Sequence, residues 1–219
     1  MTLVALRRLA GAAFVCAALA GSAALAAASA PQSDGNADMT KLLQPGGVPD
    51  LAMGEANAPV TIVEYGSLTC PHCAVFSRDA FPKLKAAYID TGKARFIFRE
   101  FSRNTLDVAG FLLARCLGDD KAFAADELLF ATQDQWSASD RQLDALIVAL
   151  RAAGMTQEKA QECLKNQKLA DALVAIPKRA NEEIKMTGTP TFVINGKIYG
   201  GELSFEQLQA IIDPLLAAK

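Results

Sequence analysis

Histidine and tryptophan occur once each among the 219 residues, and tyrosine three times. With His72 as the sole histidine, a cysteine protease is excluded, because its activating base would have to come from elsewhere in the chain. A zinc or copper site is short of ligands for the same reason. Cys70 and Cys73 have metal-ligand spacing, but the other cysteines are scattered singly and His72 already lies between the pair. Trp136 and the phenylalanines near it read as packing residues, so no cofactor is implied. Neither charge is in excess: 22 Lys and Arg stand against 24 Asp and Glu, which offers no electrostatic case for binding nucleic acid.

Acidic residues are absent before Asp34, and the one long apolar run, Leu9 to about Ala28, follows Arg7 and Arg8. That combination reads as a secretory signal peptide over residues 1–26, cleaved after Ala26 or Ala28, and places the mature chain in the periplasm. A retained membrane anchor is the alternative, weakened by the Ala and Gly content of the run. Cys16 leaves with the signal, as do two basic residues, giving 20 positive against 24 negative charges. Four cysteines remain in a chain bound for an oxidising compartment, where disulfides are expected.

Residues 27–59 are rich in Ala, Ser, Gly, Asn and Pro and predict a flexible lead-in, apart from a possible short stalk helix over residues 37–44. Val60 to Tyr65 is β-branched and apolar, as a buried strand should be, and Gly66-Ser67 ends it. A helix follows Cys70, opened by Pro71, kinked at Pro82 and closed by Gly92. Ala94 to Phe101 alternates aromatic and polar residues and predicts a second strand. Residues 60–104 thus form the first part of an α/β domain. Residues 105–186 lack any strand signal and read as an all-helical insertion; Gly118 and Gly154 are helix stops, and Ser139 with Gln142 is a capping box. In residues 187–219, Asn195-Gly196 joins two β-prone runs as a hairpin, and an amphipathic helix runs from Ser204 to Leu216. The order is β-α-β, helices, β-β-α.

Cys70-Pro71-His72-Cys73 carries the chemistry. A thiol at a helix N-terminus faces free N–H groups and the positive end of the dipole, which favour the thiolate, so Cys70 is the nucleophile. Cys73, one turn inside, is placed to resolve a mixed disulfide. His72 can add positive charge or a donor near Cys70. Glu64, six residues upstream, is either a buried carboxyl able to exchange protons with Cys73 or a solvent-facing strand residue. Thr189-Pro190 stands directly before a strand, and on pattern alone its bond is trans, as most X-Pro bonds are. Cys116 and Cys163 are expected to pair as a structural disulfide, with free thiols or a second redox pair as alternatives.

With Val63-Glu64-Tyr65, Cys70-Pro71-His72-Cys73, Phe98 to Phe101 and Gly188-Thr189-Pro190-Thr191 in place, the chain resembles the DsbA family of thiol-disulfide oxidoreductases from about Val60 to Leu216. The resemblance implies a thioredoxin-like fold with a helical insertion between its halves. It implies an exposed nucleophile at Cys70, a buried resolving thiol at Cys73, a buried acid at Glu64 and a cis bond at Thr189-Pro190 that binds extended substrate. Cys116 and Cys163 resemble the second disulfide of a DsbA subgroup. The partners so implied are reduced or unfolded exported proteins and a DsbB-like membrane quinone reductase, with the chain acting as a monomer. An oxidase is the leading function. An isomerase or reductase held reduced by a partner competes with it, and behind both stands a metal-binding or chaperone-like module.

Overall fold

The computed structural model describes residues 29–218; the signal-peptide reading of residues 1–26 lies outside them. Two short elements come first, strand β1 (Gly35–Asn36) and helix α1 (Met39–Leu42). Strands β2 (Leu51–Met53) and β3 (Val60–Gly66) follow, then helix α2 (Pro71–Val75). The helix continues through a π turn at Phe76–Ala80, helix α3 (Phe81–Leu84) and a second π turn at Lys85–Ile89. Pro82 therefore acts by widening the helix rather than by a kink alone. It has no N–H to give the carbonyl four residues back and its ring crowds that carbonyl, and the Phe81 N–H just before it reaches back five residues to Phe76.

After β4 (Ala94–Glu100) come α4 (Thr105–Arg115), α5 (Asp119–Ala131), α6 (Gln133–Ser137), α7 (Gln142–Ala149), α8 (Gln157–Cys163) and the long α9 (Gln167–Ile184). Strands β5 (Thr191–Ile194) and β6 (Lys197–Gly200) and helix α10 (Phe205–Ala217) close the chain. The sheet order is β1-β6-β5-β3-β4-β2, with β3 and β4 parallel and the other pairs antiparallel. Asn195 and Gly196 both take positive φ, as the tight hairpin predicted from their sequence requires.

Two expectations need correction. The lead-in is structured: β1 pairs with β6, β2 pairs with β4, and Leu42 of α1 is 1% exposed, so α1 docks on its own sheet and is no stalk. Strands of two and three residues are too short to show any alternation, and their partners, distant in sequence, define them. Ser139 and Gln142 form no capping box. Ser139 Oγ accepts from the Arg141 N–H at 3.1 Å and α7 starts only at Gln142; the reciprocal box is at Ser204 and Gln207, opening α10. Arg99 and Glu100 of β4 are both buried. Arg99 meets Asp50 at 2.8 Å on one face of the sheet, and Arg115 of α4 grips Glu100 on the other.

Because side chains alternate across a strand, Val60, Ile62 and Glu64 share one face of β3. There Val60 and Ile62 join the larger core with Phe96, Phe98 and Phe192, covered by α2 through α8 and by α10. Val63 and Tyr65 face the other way, into a smaller core with Leu42 and, from α9, Ala180 and Ile184. The insertion thus covers both faces of the sheet rather than sitting apart from it. Cys116 and Cys163 are disulfide-bonded, Cα atoms 5.9 Å apart, and tie the end of α4 to the end of α8.

The insertion also holds the turn that leaves β3. Asp107 of α4, fully buried, accepts from Ser67 Oγ at 2.9 Å, the Thr69 N–H at 2.8 Å, Thr69 Oγ1 at 3.2 Å and the Arg103 N–H at 2.8 Å. Gln133 Nε2 donates to the carbonyls of Leu68 at 2.6 Å and Cys70 at 3.0 Å. Gly110 is required beneath, since a Cβ there would lie 2.5 Å from Leu68 Cδ1. Asp107→Ala strands four donors and is expected to lower stability by about 3 kcal/mol in urea denaturation; a loss below about 1 kcal/mol would mean that Gln133 suffices to hold the turn. Replacing Cys116 and Cys163 together by Ala opens a loop of 47 residues. The cost by loop-closure entropy is about 4 kcal/mol, read from denaturation without reductant, and an unchanged midpoint would refute it.

Candidate active site

Strand β3 is stopped by Gly66, where a Cβ would come within 2.5 Å of the Phe98 ring, and Ser67 to Thr69 turn the chain into α2. Cys70 is the extended residue just before that helix, and Pro71 occupies its first turn, where a missing N–H costs nothing. Opposite, Thr189-Pro190 is cis, as the resemblance implied and the pattern alone did not. The Thr189 carbonyl lies 3.1 Å from Cys70 Sγ and accepts from the thiol when it is protonated.

Cys70 is 3% exposed, against the expectation of an exposed nucleophile, because the Thr189 loop packs over it. Its thiol pKa is nevertheless lowered to about 5. The largest cause is a hydrogen bond from the Cys73 thiol; burial opposes it, and the Thr189 side chain and the N–H groups of Cys73 and His72 add to it. Thr189 Oγ1 has no other partner. Cys73 is fully buried with only the Ser67 N–H at 3.5 Å, and burial pushes its thiol pKa well up, reinforced by its bond to Cys70 and by Glu64. The two sulfurs of one motif are thereby driven in opposite directions.

Glu64 is 3% exposed, which decides between its two readings. Burial first, and then the negative charge at Cys70, raises its pKa well above the carboxylate range. The His72 side chain points away into solvent, with Nδ1 3.0 Å from Glu202 Oε2, so only its backbone N–H bears on the Cys70 sulfur. The structure thus brings Cys70, Cys73, Glu64, Pro71, Thr189 and Pro190 to one place and leaves the imidazole at its rim. Cys116 and Cys163 are in the insertion, away from that place. Among the described residues no group of three or more His, Cys, Asp or Glu is arranged to hold a metal ion.

Sequence reasoning missed Asp107, Gln133 and Glu202. Asp107 looks like an ordinary first-turn acid behind its cap Asn104, and neither Gln133 nor Glu202 sits in any local pattern. Their partners are 40, 65 and 130 residues away.

The thioredoxin family model matches residues 47–214. A Rickettsia bellii protein that carries the provisional name protein-disulfide oxidoreductase is 34% identical over 165 residues, 75% of this chain and 63% of that protein. The chain therefore spans somewhat less than two thirds of the length of that relative. Disulfide bond formation protein D of Bacillus subtilis is 27% identical over 175 residues, covering 76% of this chain and 77% of that one. The crystal structure of Wolbachia pipientis alpha-DsbA1 superposes with a TM-score of 0.75 at 29% identity, over 83% of this chain and 97% of that one. Family match, shared architecture and the paired thiols before α2 agree, and the chain belongs to the thioredoxin family, among its DsbA-like members.

Proposed function

We propose that the protein is an exported disulfide oxidase that passes the Cys70–Cys73 disulfide to reduced proteins in the periplasm. The observation that carries this reading is the opposed environment of the two sulfurs: Cys70 held as thiolate, Cys73 kept neutral. A reduced state so stabilised makes the disulfide a strong oxidant. A substrate thiolate attacks Cys70 Sγ, and the S–S electron pair goes to Cys73, which takes a proton from Glu64. A second substrate thiolate attacks the substrate sulfur of the mixed disulfide, expelling Cys70 as thiolate. Two electrons have then moved from substrate to protein.

The exposed edge of the Thr189-Pro190 loop is the surface proposed to hold an extended substrate. Export rests on residues 1–26, and among the described residues no helix is long and apolar enough to cross a membrane. Docking of α1 on its own sheet leaves no stalk for dimerisation and supports a monomer. A DsbB-like membrane quinone reductase is the proposed reoxidant.

Equilibration in graded glutathione buffers is expected to give a potential close to about −120 mV, and a value near about −270 mV would move the assignment to a reductase. Alkylation of Cys70 by iodoacetamide should be near its plateau at neutral pH, fall to half near pH 5 and decline steeply below it. The sign for stability follows. A lowered folded pKa stabilises the reduced protein fully above the unfolded thiol pKa of about 8.5, and this is lost as pH falls toward 5. Reduced protein should therefore lose more stability between neutral pH and pH 5 than Cys70→Ala does, and equal losses would show that Cys70 is not a thiolate.

A further inference from the structure

Asp126 of α5 is 1% exposed, and neither of its carboxyl oxygens has a hydrogen-bond partner. A buried polar group left unpaired is costly, and an apolar residue would fill the same space without that cost. The carboxyl lines a cavity that Glu64, Ser77 and Glu127 also line, and five phenylalanine rings make up the rest of its wall. Space for a water centre there is about 10 Å³, roughly the room one water needs. Glu127, next to Asp126, also lines this cavity and is only partly buried, so solvent reaches it.

The chemistry proposed above leaves a proton to be accounted for at Cys73. When the disulfide opens, Cys73 leaves as a thiolate in a fully buried position with one weak donor, so a proton must follow the electron pair. Glu64 supplies it and is left charged against aromatic walls, where it must be reprotonated before another cycle. Reoxidation runs the same proton outward. Glu64, 3% exposed, has little surface through which to do this itself.

We propose that Asp126 and Glu127, through the cavity they share with Glu64, relay the Cys73 proton between Glu64 and solvent. The relay rests on the thiol-disulfide exchange reading. Each transfer moves one proton and no electrons: Glu64 gives its proton to Cys73, the cavity water protonates Glu64, Asp126 restores the water, and Glu127 restores Asp126 from bulk. The groups facing Asp126 fit the role. Glu64 lines the same cavity, Glu127 is its neighbour on α5, and the charges of Glu100 of β4 and Arg115 of α4 act on it. Arg115 is hydrogen-bonded to Glu100 and the Pro49 carbonyl and makes no ion pair with Asp126, although its Nη1 has no hydrogen-bond partner and its charge draws Asp126 toward ionisation. Burial outweighs it and, with Glu100, pushes the Asp126 carboxyl well above the usual carboxylate range, and Glu127, also raised by burial, is drawn back toward ionisation by Lys85.

The test is single-turnover oxidation of the reduced Cys70–Cys73 pair by oxidised glutathione, followed by rapid alkylation over a series of pH values, because Cys73 can then lose its proton only as Glu64, already protonated, passes its own outward. Asp126→Asn is expected to slow the step at least about tenfold, the low side of what a positioned proton-transfer group contributes, with an altered pH profile and with rescue by Asp126→Glu. Added to Glu64→Gln, it should slow the reaction no further. Parent-like kinetics in Asp126→Asn, a parallel pH profile, or full additivity with Glu64→Gln would each overturn the relay. If Asp126→Asn does not fold, Glu127→Gln decides: slowing that Glu64→Gln masks supports the relay, and unchanged kinetics refutes it. Oxidation of a dithiol peptide is measured separately: if the parent protein fails to do it, the oxidase reading falls, and the glutathione rates still decide the relay.

Discussion

The hydrogen bond from the Cys73 thiol to the Cys70 sulfur governs this site, because it lowers one thiol pKa and raises the other at once. A donor inside the motif stabilises Cys70 as thiolate only while it keeps its own proton. Full burial of Cys73 secures that proton, and the backbone N–H groups at the start of α2 add donors that cannot ionise. The Thr189 carbonyl, 3.1 Å from Cys70, favours the opposite protonation state and is outnumbered by these donors. A cationic imidazole is not needed to account for the low pKa, which is consistent with His72 turning to Glu202.

Such a bond needs its two sulfurs at fixed positions, and the geometry comes from elements far apart in the sequence. Strand β3 sits at the centre of the sheet, paired through Glu64 with Phe98 on one side and Phe192 on the other. The turn leaving it is held from the insertion by Asp107 and Gln133, and the opposing loop is delivered by β5. The insertion is therefore part of the frame for the thiols. Its disulfide, by closing α4 to α8, also steadies the helix that carries Asp107.

What was legible in the sequence was whatever a local pattern encodes. The β-branched run of β3, the Cys-Pro-His-Cys turn, the Asn-Gly hairpin and the amphipathic α10 each depend on residues within a few positions of one another. The cis bond was legible only through family resemblance, because nothing local distinguishes it from the commoner trans form. Strands β1 and β2, with two and three residues, exist because a partner's edge is there to be paired. Arg99 and Glu100 of β4 are buried because Asp50 and Arg115 arrive from elsewhere to meet them, pairings that no local pattern encodes. Asp107 and Gln133 escaped for the same reason: a residue whose work is done across 40 or more positions leaves no trace at its own.

Apart from Asp107, which hydrogen-bond donors hold, buried charge among the described residues falls into two kinds, and the difference separates framework from chemistry. Arg99 and Arg115 each meet a carboxylate and a backbone carbonyl, as buried ions must if they are to remain ions. Glu64 and Asp126 meet no cation directly and line one aromatic cavity on the side of the sheet where Cys73 lies. In such surroundings a carboxyl keeps its proton at neutral pH and can surrender it only to a base formed nearby. The base available there is the Cys73 thiolate, which appears when the disulfide opens. The phenylalanine rings of that cavity thus set the same apolar surroundings for Glu64 and Asp126, the two groups proposed to handle the proton that Cys73 takes up.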